Sequence, residues 1–323
     1  MRVDKFIDVK YNFVNANRNN HKMKKLNLLI LLIIMFNLAS HAQTDSLTKK
    51  HSFFRLATAY LSNNAYMGRQ SETVQSYITP SVGFYHKSGL FINAAASYIP
   101  NNGYQQFDMK ELNEGYEISK GNFYGSATAT QFFFNDSSTV VNSAINSMVG
   151  LSSSYDFNFI TASASVDFNF LSRTDAVVEA GLSHSFSVAD DKLSISPAVN
   201  LFAGTQNFYQ AYYKPFNGSK SSAASRSARI CSSKGKSTGK GKGTTQNTTT
   251  SSNTIEVQNY NQFKVMDCEL SVNEEYEYKN FMFSLSPVYV IPVNPSSLVV
   301  NNVIVPETLK HIFKVEMGVC YKF

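Results

Sequence analysis

Along most of this chain apolar and polar residues alternate with a period of two, the signature of β-strands, whose successive side chains leave opposite faces of the backbone. In 158–171, Ile160, Ala162, Ala164, Val166, Phe168 and Phe170 oppose Thr161, Ser163, Ser165, Asp167 and Asn169. In 192–206, Leu193, Ile195, Pro197, Val199 and Leu201 oppose Lys192, Ser194, Ser196, Ala198 and Asn200. Read this way with turn signals as punctuation, the chain predicts strands over 53–62, 74–86, 89–99, 106–118, 121–134, 146–157, 158–171, 175–188, 192–206, 262–277, 280–293 and 310–323. The weakest pattern is 106–118, where Glu111, Asn113 and Glu114 dilute the alternation.

The connections between these strands alternate in length. Lys87-Ser88, Ser119-Lys120, the junction near Asn158, Ala189-Asp190-Asp191 and Tyr278-Lys279 are tight. Between them fall 63–73, 100–105, 135–145, 172–174, 207–261 and 294–309, mostly longer and rich in Asn, Ser, Gly or Pro. An up-and-down meander crossing an outer membrane has this asymmetry. A soluble sandwich has no reason to gather its long loops at one end. In hydrocarbon an open sheet edge leaves backbone groups unpaired, so the expected fold is all-β, a closed antiparallel up-and-down transmembrane barrel. Its expected strand number is about twelve, with ten or fourteen as the neighbouring solutions.

In such a barrel the polar set faces the lumen. The charges so placed are Arg55, Asp167, Glu179, Asp267, Glu269, Lys314 and Glu316, with Asn169 beside them. Mixed signs in a barrel this size predict a narrow or plugged interior. Phe53-Phe54, Phe132-Phe133-Phe134 and Phe168 with Phe170 are candidates for aromatic girdles.

The last residues, HIFKVEMGVCYKF, alternate without a break: Phe313, Val315, Met317, Val319, Tyr321 and Phe323 against Ile312, Lys314, Glu316, Gly318, Cys320 and Lys322. This ending resembles the closing strand of Gram-negative outer-membrane β-barrels. The resemblance implies that Val319, Tyr321 and Phe323 form a signal read by the barrel-assembly machinery, and that outer-membrane lipid and lipopolysaccharide surround the protein.

Composition fits the pattern. Phe and Tyr number 25 and 18, there is no Trp, and charged residues make up only 16%, against about a quarter in soluble domains. The pI near 9.0 misleads. Residues 1–42 carry a net +5 and residues 217–254 a net +7, so the overall +6 leaves −6 on the remaining body. Nothing there favours nucleic acid.

Met23-Lys24-Lys25, the apolar run Leu26–Leu38 and Ser40-His41-Ala42 read as a signal peptide over 23–42, with 1–22 preceding the true start. A mature start at Gln43 resembles Bacteroidota exports. Residues 43–323 would form the barrel, located in the cell outer membrane. Residues 217–254, composed of Ser, Thr, Gly, Lys and Asn, read as a disordered basic loop inserted between strands.

Site motifs are few. Gly235-Lys236-Ser237-Thr238 invites a phosphate-loop reading, but the pattern wants a Gly at 230, where Ile stands. His184 and Ser185 are adjacent on a strand and so face opposite ways. His86, His184 and His311 lack metal-ligand spacing. Cys231, Cys268 and Cys320 suggest neither a disulfide framework nor a zinc site. The expectation is no catalytic, cofactor or metal site. The protein would be a narrow channel or transport-related barrel for small solutes, or else a structural barrel whose outer loops bind a partner or glycan.

Overall fold

The computed structural model describes residues 51–71, 74–100, 106–136, 138–213, 255–300 and 302–323. The segment 23–42 expected to be a signal peptide, the residues 1–22 before it and the basic tract 217–254 lie outside the described residues. Twelve strands form one closed sheet: β1 (Phe53–Leu61), β2 (Tyr77–Tyr85), β3 (Leu90–Ile99), β4 (Gln106–Lys120), β5 (Phe123–Phe134) and β6 (Ser147–Asp156), then β7 (Thr161–Phe170), β8 (Asp175–Ser183), β9 (Leu193–Gly204), β10 (Lys264–Tyr278), β11 (Phe281–Pro292) and β12 (Ile312–Lys322). Each strand pairs antiparallel with its neighbours in sequence, and β1 pairs with β12 in a register running from Arg55↔Lys322 to Leu61↔Glu316. The barrel has no edge.

Local chemistry explains the tight connections. Asn158, Asp190, Asp191 and Lys279 hold positive φ in these turns, as do Gly89 and Gly121, which suits tight hairpin turns of two to four residues in a right-twisted sheet. Asn158 N donates to Asp156 Oδ1 at 2.7 Å, an Asx turn that moves the start of β7 on to Thr161. After Ser183 the ladder lapses, because Pro197 opposite His184 has no N–H to donate; it resumes at Phe186–Val188 against β9.

The register sorts the two faces. Phe54, Leu56, Val82, Ile92, Leu151, Phe168, Leu182, Val199, Phe283 and Phe313 are exposed on the outer surface. That band of apolar and aromatic side chains would be costly in water and is at home in lipid. Phe54, Phe133, Phe168 and Phe170 stand on this face as the alternation predicted. Phe53, Phe132 and Phe134 do not. Their parity places them inside, where Phe53 stacks on Tyr85 and the other two pack against buried clusters.

At one end of the barrel, the loop end, the long connections fold into a small core. It joins Met67 from the Ala65–Tyr66/Arg69–Gln70 hairpin, Val141 and Ile145 from 135–146, and Phe208, Tyr209 and Tyr212 from the helix α1 (Asn207–Tyr213). Val257 of the Ile255–Val257 strand and Leu298 and Val300 of the Ser297–Val300 strand complete it. Among the described residues, the other end, the turn end, carries the tight turns.

Candidate functional site: the lumen and its cap

The lumen is built in tiers. Near the turn end one wall is aromatic: Phe53 and Tyr85 stack at 5.0 Å, Tyr85 and Phe91 at 5.5 Å, and the Arg55 guanidinium lies 4.9 Å over Tyr85. Phe91 fits there because Gly115 lies opposite it, where an added Cβ would meet the Phe91 ring at 2.7 Å. The facing wall is small and hydroxylated. Ser126 and Ser152 are 2.8 Å apart, and Ser154, Ser163 and Ser165 continue the inward face of β6 and β7.

The middle tier carries the charges. Lys314 Nζ lies 3.5 Å from Glu269 Oε1 and 3.6 Å from Glu316 Oε1, one cation shared by two carboxylates. Asp167 lies where a side chain at Gly150 would be, and Ser165 Oγ reaches Glu179 Oε2 at 3.5 Å. Asp267 is fully buried, and neither of its carboxylate oxygens accepts a hydrogen bond among the described residues. It sits under the Met67-Gly68 turn, where Gly68 has φ +70° and a Cβ would meet Asp267 Cβ at 3.1 Å and Pro292 Cβ at 2.8 Å. Only glycine fits both the space and the backbone. Glu111, on the inward face of β4 opposite Phe132 of β5, completes the belt.

Polar contacts fasten the cap above this belt. Arg69, only 2% exposed, donates to the carbonyls of Met67, Met266 and Asn294 and pairs with Glu307 Oε2 at 3.1 Å. The same Glu307 oxygen accepts from Ser296 N at 2.7 Å. Asp175, also fully buried, accepts from Thr205 Oγ1, from the backbone and side-chain amides of Asn207, and from Phe208 N at 2.8 Å. It thereby satisfies the open amides at the start of α1. Asn169 Nδ2 donates to Tyr66 Oη at 2.6 Å, tying barrel wall to hairpin. Burial raises the hydroxyls of Tyr66 and Tyr209 above the ordinary tyrosine range, so both remain protonated hydrogen-bonding groups.

The charges named from the sequence therefore fall in three places. Asp167, Glu179, Glu269, Lys314 and Glu316 share the middle tier, Arg55 lies apart near the turn end, and Asp267 lies beneath the cap. Glu111 escaped the sequence reading because Glu114, on the opposite face, blurred the alternation; the run Glu111, Asn113, Gly115, Glu117 and Ser119 is the signal that finds it. Val319, Tyr321 and Phe323, the residues expected to signal assembly, stand together on the outer face, with Tyr321 and Phe323 edge to face at 4.8 Å. His184 packs on Phe186, ring to ring at 4.4 Å, while Ser185 Oγ meets Ser196 Oγ at 2.7 Å, so the two form no nucleophile–base pair. His86 pairs with Ser88, and His311 with Tyr289. Cys268 and Cys320 are free thiols.

No protein-family model matches the chain, and no curated protein matches it. Among solved structures it is similar to a KdgM porin, at 9% identity over 83% of this chain and 99% of that one, with a TM-score of 0.43. An outer membrane channel from Pseudomonas putida F1 is 9% identical over 87% and 98% of the two chains, with a TM-score of 0.42. LpxR from Salmonella typhimurium is 9% identical over 83% of this chain and the whole of its own, with a TM-score of 0.39. At such identities and scores these likenesses say nothing about what this lumen carries. What the chain's own geometry establishes is a closed twelve-stranded antiparallel β-barrel with an apolar outer band, a charged lumen and a packed cap at its loop end.

Proposed function

We propose that this protein is an integral, non-enzymatic barrel of a Gram-negative outer membrane whose lumen is a narrow, capped channel for small solutes, with a preference for cations. One observation carries the reading: the mid-lumen belt sets Asp167, Glu179, Glu269, Glu316 and Glu111, with Asp267 above them beneath the cap, against Lys314. Fixed charge of one sign on low-dielectric walls concentrates counter-ions and repels co-ions. On this reading the packed cap is the closed state of the channel, and passage requires the α1 and 65–70 segments to move. In planar bilayers the purified protein should show cation-selective openings, and the double variant Glu179→Gln/Glu269→Gln should lose several-fold of that selectivity. Absence of conductance in folded protein, cap weakened or not, would contradict the channel.

A second reading, a closed barrel whose outer loops engage a partner or surface glycan, draws support from the packed core of the cap. Deletion of 217–254 should then abolish surface binding while leaving a heat-modifiable barrel. Unchanged binding would remove this reading.

A further inference from the structure

Asp267 stands apart from the other buried carboxylates. Asp175 accepts hydrogen bonds from Thr205, Asn207 and Phe208, and Asp108 accepts from Tyr77 and Ser138. Asp267 has no exposed surface, yet both of its oxygens lack a partner among the described residues. The cap hairpin closes over it: the Met67-Gly68 turn rests on its side chain, and Arg69 donates to the carbonyl of Met266 beside it. The roughly 9–11 residues that cross a membrane, counted along β10 from Tyr278, end short of Asp267. When the hairpin lifts, the carboxylate therefore meets water.

The charges that face Asp267 are Arg69 from the hairpin, Glu269 on its own strand, Lys314 from β12 and Glu179 from β8. From β9 and β11 its register partners are Phe202 and Pro292, which carry no charge. Both cations are already engaged, Arg69 with Glu307 and Lys314 with Glu269 and Glu316. Neither donates a hydrogen bond to Asp267. A sealed carboxylate without hydrogen bonds is costly when charged and much less so when neutral. In water the charged form is at ease. The closed cap therefore holds a proton on Asp267 more tightly than the open cap does, and closure must weaken as the pH rises.

We propose that Asp267 is a proton-operated latch of the cap: the 65–70 hairpin seats on the neutral carboxyl and is loosened when the carboxylate ionises. The latch rests on the capped barrel and not on conduction.

The test is hydrogen exchange on the full chain folded in detergent, parent against Asp267→Asn at the same pH, so that the intrinsic pH dependence of exchange cancels. At about pH 8, far above the ordinary Asp range, 65–70 and 205–213 should exchange several-fold faster in the parent. The ratio should fall towards one as the pH is lowered to about 5. Asp267→Leu, of similar shape and with no polar group to satisfy, should behave as Asp267→Asn does, and both variants should keep the heat-dependent mobility shift. A ratio that does not change with pH would overturn the latch, as would faster exchange in both variants than in the parent at about pH 8. A pH-dependent ratio spread equally over β6 and β7, or loss of the folded barrel in both variants, would show instead that Asp267 supports the wall, and would overturn it too. A silent barrel with the pH-dependent ratio would remove the channel and leave the latch, and a conducting barrel without it would do the reverse.

Discussion

The backbone amide of Phe323 donates to the carbonyl of Phe54 at 3.0 Å, so the last residue of the chain locks onto the second residue of the first strand. The bond continues the β1–β12 ladder by one pair and completes closure. The Phe323 ring, 64% exposed, stands on the outer face beside Tyr321. Removing Phe323 forfeits this bond, about 1 kcal/mol, and an edge-to-face contact of similar size. Truncation before Phe323 should reduce the heat-modifiable barrel recovered from membranes several-fold, whereas Phe323→Tyr should retain it. Equal recovery of the truncated and full chains would show that the terminal aromatic is dispensable for assembly.

The cap depends on Arg69. Its pair with Glu307 is buried, and removing one partner of a buried pair costs about 3–5 kcal/mol. In Arg69→Met the cap should loosen while the barrel ladder stays intact. Limited proteolysis should cut within 65–70 or 294–309, and single-channel recordings should show longer or more frequent openings. A variant as protease-resistant and as silent as the parent would mean that the apolar core holds the cap alone.

Asp175 anchors α1. Asp175→Ala strips the partners from Asn207 N and Phe208 N, a loss of about 2 kcal/mol concentrated in the cap. Hydrogen exchange should therefore quicken in 205–213 with little change in β6 or β7. Uniform destabilisation of the barrel would show instead that the carboxylate supports the wall.

Gly115 leaves room for Phe91. In Gly115→Val the new side chain meets both the Phe91 ring and the carbonyl of Ala127, an overpacking cost of about 1–3 kcal/mol. The urea midpoint of the detergent-folded barrel should fall accordingly, and the double variant Gly115→Val/Phe91→Ala should recover part of the loss. No recovery would mean that the backbone contact dominates.

The barrel wall was legible because a two-sided strand writes its two environments into alternate residues. Ile160 to Phe170 against Thr161 to Asn169 needed nothing beyond parity, and the predicted strand limits lie within about three residues of the observed ones except at the end of β8, expected at 188 and observed at Ser183. Where parity was mixed, as at Glu111 and Glu114, a lumen carboxylate was lost. Consecutive aromatics misled for a related reason, since Phe132, Phe133 and Phe134 cannot share a face. The cap was not legible. Phe208, Tyr209 and Tyr212 lie in a connection that reads as a loop, and their burial depends on Val257 far along that same connection and on Val141 and Val300 from two others. Only the closed barrel brings these together. Asp175 and Arg69 take their roles from partners far along the chain, 33 residues to Phe208 and 238 to Glu307.

Closure within a membrane is the claim on which all else stands, and β1 and β12 offer a direct test. Ala57 faces Cys320 in the register, at a pair that alternates with the hydrogen-bonded Phe54–Phe323 pair and so belongs to the close-spaced class. Such a pair has Cα atoms within disulfide reach. In a chain carrying Ala57→Cys with Cys231→Ser and Cys268→Ser, mild oxidation of the membrane fraction should join residues 57 and 320. The product should keep an altered, reductant-sensitive mobility on gels even after boiling. Recovery of folded protein only in the soluble fraction, or membrane-assembled protein in which residues 57 and 320 never cross-link, would contradict the closed barrel.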